Sequence, residues 1–117
     1  MDSGKLRHRI EIQEYVYLGQ DPETGAEIRE WREFHSCWSA IEPLSAREFI
    51  AAQSTQSKVS ARITIRYVDG INAAMRILHV KRGVATVYNI EGVLADNDSG
   101  LEYLTLPVSE GVSINGQ

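Results

Sequence analysis

Two-residue alternation of apolar and polar side chains recurs along this chain, and it restricts the fold to strands with one face in a core and the other in water. The clearest stretch is 59–67, where Val59, Ala61, Ile63, Ile65 and Tyr67 alternate with Ser60, Arg62, Thr64 and Arg66. Ile10 and Ile12 alternate in the same way with Arg9, Glu11 and Gln13, and beyond them Tyr15-Val16-Tyr17-Leu18 is apolar on both faces. With the turn residues as boundaries, strands are predicted over 8–18, 27–41, 59–67, 75–80, 84–94 and 101–106. Gly19 to Gly25, Asp69-Gly70, Lys81-Arg82-Gly83 and the run from Asp96 to Gly100 supply the turns. The second strand is long for one strand, so a bulge or bend is expected near Trp31, with Phe34, Trp38 and Ala40 sharing one parity.

One segment departs from the alternation. Pro43 ends the second strand, and Ser45-Ala46-Arg47-Glu48 has the form of a capping box. In such a box the Ser hydroxyl accepts from the amide three residues on, and the Glu carboxylate reaches back. Leu44 and Phe49 flank it as a hydrophobic staple. A helix from Ala46 to about Gln53 follows, and the polar stretch 53–58 returns the chain to strand. The sum is a mainly β fold: a small antiparallel β-barrel or sandwich of about six strands, with one short helix after the second. At 117 residues one domain over 1–117 is expected, flexible at 1–6 and after Pro107 (108–117).

Composition narrows the chemistry. One cysteine, Cys37, precludes an internal disulfide and fits a reducing compartment. No apolar run approaches the ~20 residues of a membrane span, and the start has no apolar stretch of the kind a signal peptide needs. His35 and Cys37 offer two ligands on one strand face, short of the four that structural zinc takes, and a half-buried pair beside Trp38 is the plainer reading. The run from Asp96 to Gly100 resembles a calcium loop, but glycine falls one place early and Pro107 stands where a bidentate Glu belongs. There is no Gly-x-Ser-x-Gly elbow and no phosphate loop, and the carboxylate pairs Glu30/Glu33 and Asp96/Asp98 read as solvated surface. No catalytic residue, no metal and no cofactor are therefore expected.

Two cationic features remain: Lys5, Arg7 and Arg9 near the start, and Arg62 with Arg66 on one strand face. Either they are ordinary solvated charge, or they meet acidic groups on a neighbouring subunit or, less favoured, DNA phosphates. A formal net charge of -4 speaks against a surface that binds nucleic acid throughout.

Several strings are similar to one family. Gly4-Lys5-Leu6-Arg7-His8-Arg9-Ile10-Glu11-Ile12-Gln13 resembles the opening of the phage head-tail joining proteins, also called head-closure or stopper proteins. The segment from Trp38 to Phe49, continuing to Ala52-Gln53, is similar to that family's central signature. Residues 62–67, 88–93 and 102–106 resemble it further, in the same order, so the resemblance spans roughly 3 to 110. It implies a virion structural protein of a tailed double-stranded DNA phage or prophage. Such a protein assembles in the host cytoplasm into a head-closure ring, is monomeric in isolation, and ends in the virion neck between portal-adaptor and tail-completion or tail protein. DNA passes through the ring and no membrane is involved. The resemblance also implies that the segment after the second strand projects toward the channel or a partner. Here that segment carries Glu42, Ser45, Arg47, Glu48, Gln53, Gln56 and Lys58, while Lys5, Arg7, Arg9, Arg62 and Arg66 are candidates for the subunit or neck interface. The alternative is a free barrel that binds single-stranded nucleic acid through the same cations.

Overall fold

The computed structural model describes residues 3–95 and 102–111. After a single 3-10 turn at Ser3–Lys5 come β1 (His8–Gln20), β2 (Glu27–Pro43), α1 (Ala46–Ser54), β3 (Ala61–Arg66), β4 (Arg76–Lys81), β5 (Val84–Ile90), β6 (Leu94–Ala95) and β7 (Tyr103–Glu110). All pairings are antiparallel, in the order β3-β2-β1-β4-β5-β7-β6, and β3 also pairs with β7. The pairing therefore runs in a closed cycle through β3, β2, β1, β4, β5 and β7. Closure satisfies the backbone donors and acceptors that an open sheet edge would present.

The alternation read from the sequence supplies the interior. Ile12, Ile63, Ile65, Ile77, Leu106 and Val108 are 0% exposed, and Ile10, Met75, Ile90 and Leu104 are buried beside them. Each such side chain contributes about 1.5–3 kcal/mol by leaving water, enough together to organise a sheet of this size. Ser39 is also fully buried in this layer, and its hydroxyl is satisfied by donating to the His8 carbonyl at 2.9 Å.

Four expectations need correction. The bulge lies at Phe34 and not at Trp31: Ile12 faces His35 and Gln13 faces Glu33, so Phe34 has no opposite residue. Downstream of that bulge Cys37 pairs with the buried Ile10 and packs on the core, which turns Trp38 outward to 53% exposure. The strand expected over 84–94 breaks after Ile90: the Glu91 amide donates to the Pro107 carbonyl at 2.8 Å, but Pro107 has no N–H to return, and β6 begins only at Leu94. The expected fraying after Pro107 does not hold for 108–110: Val108 and Ser109 are buried within β7 and pair with Ile90 and Asn89. The expected turn at 96–100, with Asp96 and Asp98, and the tail at 112–117 lie outside the described residues.

One part of the hairpin leaves the body. The third-strand partner of β1 ends at Gln13 opposite Arg76, and β3 accompanies β2 only over 39–43. Residues 14–33 are therefore a two-stranded arm, and the molecule is elongated at 51 × 32 × 29 Å.

Candidate assembly surfaces

Two elements stand away from the core: the helical segment between β2 and β3, and the β1–β2 arm. In the first, the capping box predicted from Ser45 and Glu48 is present. The Glu48 amide donates to Ser45 Oγ at 3.2 Å, and the Ser45 amide donates to Glu48 Oε1 at 3.0 Å. Arg62 on β3 then donates through both terminal nitrogens to the same carboxylate. The Arg62 guanidinium, followed by the Ser45 amide and hydroxyl, holds the Glu48 carboxyl down to about 2. Thus Arg62, a candidate for an outward contact, is committed to Glu48 on its own chain.

No residue of α1 is buried, and Phe49 and Ile50 are 48% and 68% exposed. An open cleft of about 530 Å³ separates the helix from the sheet end at Asn89, Glu91 and Ser109. The expected staple partner Phe49 thus faces solvent and this cleft. Glu42, Ser45, Arg47, Gln53, Gln56 and Lys58 are all exposed, and Gln56 adopts φ 59 at the helix exit. Among the described residues the helix is fastened by one salt bridge and its two strand connections, and none of its own side chains is buried.

The arm is rooted by a residue for which the alternation offered no role. Arg76 is 6% exposed; its Nε donates to Gln13 Oε1 at 2.7 Å, and its guanidinium lies 4.2 Å from the Trp31 ring centre. Gln13 Nε2 in turn donates to Glu11 at 2.6 Å. Desolvation is the main influence on Arg76, lowering its pKa, while Glu11 pulls the other way. Further out, Tyr15 stacks on Trp31 at 4.9 Å and Arg29 lies 5.4 Å above Tyr17. The signal for this arm was the run 15–18, apolar on both faces: a strand with no third neighbour has no core face to distinguish.

The remaining cations gather near the other end of β1. Arg9 lies 5.7 Å from the Trp38 ring centre and Arg66 lies 5.9 Å from that of Tyr103. Lys5 is exposed, and Arg7 donates to the Gly4 carbonyl at 3.1 Å. Arg9, Arg66, His35, Cys37 and Trp38 line a groove of about 350 Å³. Among the described residues no carboxylate lines it beside His35 and Cys37. Burial pushes the Cys37 thiol up, against a smaller downward pull from Arg9, and a thiol held protonated is a poor nucleophile. Among the described residues, no three His, Cys, Asp or Glu side chains are placed to hold a metal ion. His8 and His79 meet edge to face at 5.3 Å, and burial, then His8 and Lys81, lower His79.

The sequence profile described as phage head completion protein matches residues 1–111. No curated protein matches the chain. The solution structure of protein SF1141 from Shigella flexneri 2a is similar, with a TM-score of 0.69 and 30% identity over 97% of this chain and 99% of that one. A chain from the virion of a native gene transfer agent particle is also similar, with a TM-score of 0.52 and 15% identity over 92% of this chain and 97% of that one. At that identity the second likeness speaks for the fold alone.

Proposed function

This chain belongs to the phage head completion protein family, and from that premise we propose that it forms a head-closure ring between the portal-adaptor complex and the tail. The family makes it a phage structural protein; the ring, its neighbours and its place in the virion neck are our reading. Copies fold as monomers in the host cytoplasm and associate on the portal-adaptor platform after DNA is packaged. The ring then helps retain the genome, which later passes through it, and presents a surface to the tail.

The family match over residues 1–111 is the observation that carries this reading. The form of the 42–58 segment supports it. A capped helix with no buried residue, held by Arg62 to Glu48, can move toward a channel or partner without dismantling the core. Glu42, Ser45, Arg47, Gln53, Gln56 and Lys58 are the side chains we assign to that contact.

The test is a deletion of the gene in the phage or prophage that carries it. DNA-filled heads that lose their genome or fail to acquire tails are the expected product. Normal yields of infectious particles from the deletion would end the proposal.

A further inference from the structure

We propose that the β1–β2 arm of one copy docks in the cationic groove of a second copy, so that the ring closes head to tail. This rests on the ring reading above and adds the two faces that meet. The arm exposes Tyr15, Tyr17, Leu18 and Ile28 at 51%, 50%, 44% and 41%. A two-stranded hairpin is marginal alone in water, and clustered apolar side chains on it mark a surface that something covers.

Charge identifies the occupant. The arm carries Glu14, Asp21, Glu23, Glu27, Glu30 and Glu33 against only Arg29 and Arg32, and this excess equals the whole chain's formal net charge of -4. Both arginines are already paired, Arg29 with Glu27 at 2.9 Å and Arg32 with Glu30 at 3.0 Å. The groove has the opposite character. Arg9 and Arg66 make no ion pair among the described residues, and each lies against an aromatic ring. Leu6, Trp38 and Tyr67 line the groove with them and offer apolar area for the arm's tyrosines. An acidic, aromatic strand pair and a cationic, aromatic groove are complementary.

Glu33 at the arm's root accepts from the groove's Ser36 Oγ at 2.8 Å, but the arm's tip cannot reach its own groove. His35 and Ser36 line the groove and lead directly into the arm, whose first strand runs outward for seven residues from Glu14 to Gln20, six of them paired. At about 3.3 Å per residue its tip lies roughly 20 Å beyond the groove. The matching faces are therefore different patches of one chain, which is a heterologous contact, and such contacts close into rings when their rotation allows. The exposed ion pairs are weak and screened by salt, in keeping with copies that stay apart until a platform concentrates them.

The experiment crosslinks the two faces in particles. Two variants, Gln20→Cys/Cys37→Ser on the arm and Ser36→Cys/Cys37→Ser in the groove, are co-produced with the other virion proteins and treated with a bis-maleimide. The expected product is a band with the mass of two chains that contains one of each variant, absent when either variant is used alone. Particles that hold both variants without that band, or an arm cysteine joined to a different protein, would overturn the docking and leave the head-closure reading intact. Absence of the unmodified chain from particles would instead remove the head-closure reading. Should the cysteine variants not assemble, Arg9→Glu/Arg66→Glu decides: we expect an unchanged melting temperature and at least a tenfold loss of tailed particles, restored by adding Glu14→Arg/Glu23→Arg. Without restoration the proposal fails.

Discussion

Glu48 accepts from the Ser45 amide and from Arg62, and the pH dependence of the helix follows from that one carboxylate. Its folded value of about 2 lies below the ordinary 4.5, so its stabilising contribution is complete above about 4.5 and is lost as pH falls toward 2. Amide exchange at Glu48 and Phe49 should accelerate across that window, while amides of β3 stay protected. Glu48→Gln should give fast helix exchange already at neutral pH and remove the dependence. Arg76 is the second residue with consequences out of proportion to its place in the pattern. Arg76→Met keeps the stem but leaves Gln13 Oε1 without its donor and Trp31 without its cation. A loss of about 1–3 kcal/mol in denaturant unfolding is expected, with increased solvent quenching of Trp31 fluorescence. A melting curve equal to that of the unsubstituted protein would show that the arm needs no such root. Alternation could not have found Arg76, because a buried cation looks in sequence like a solvated one.

At the scale of elements, the helical segment and the arm are both excursions from paired strands. Pro43 pairs with Ala61, and the Leu44 amide donates to the Ser60 carbonyl at 3.1 Å, so the chain leaves and re-enters the sheet at adjacent points. Replacing 44–58 by a short Gly-Ser turn should therefore close a β2–β3 hairpin. We expect a cooperative thermal transition within a few degrees of the original, together with loss of particle assembly. Collapse of the transition would mean that α1 belongs to the core after all. The capping box was fully legible in sequence, since its chemistry is local: a hydroxyl, a carboxylate and a spacing of three. What the helix packs against was not. Phe49 satisfies the staple pattern by position, yet it stands 48% exposed above an open cleft.

For the molecule as a whole, closure depends on the last strand. β7 joins β3 through six pairs and β5 through Ile90↔Val108, Asn89↔Ser109 and Tyr88↔Glu110. Ending the chain after Pro107 removes every β7 residue that pairs with β5, including the fully buried Val108. That variant should lose its cooperative unfolding transition by circular dichroism, whereas ending it after Gly111 should not. A melt unchanged by the shorter truncation would show that the cycle is not what stabilises the sheet. Removing the buried Val108 side chain alone accounts for about 1.5–3 kcal/mol, a substantial fraction of the 5–15 kcal/mol by which domains are stable.

Alternating isoleucines, a capped helix and glycine turns were enough by themselves to establish a mainly β chain with one helix after its second strand. These features depend on neighbours in sequence, where backbone geometry imposes periods of two and 3.6. The phase of β2 around Trp38 was a tertiary decision: past the bulge at Phe34, Trp38 is turned out and Cys37 packs on the core. The same holds for β7, whose burial past Pro107 requires β3 on one side and β5 on the other. So too for the arm, which is left two-stranded because β4 begins at Arg76 and β3 accompanies β2 only over 39–43. Composition cannot reveal where a neighbouring strand ends, because that is set by pairing between residues distant in the chain.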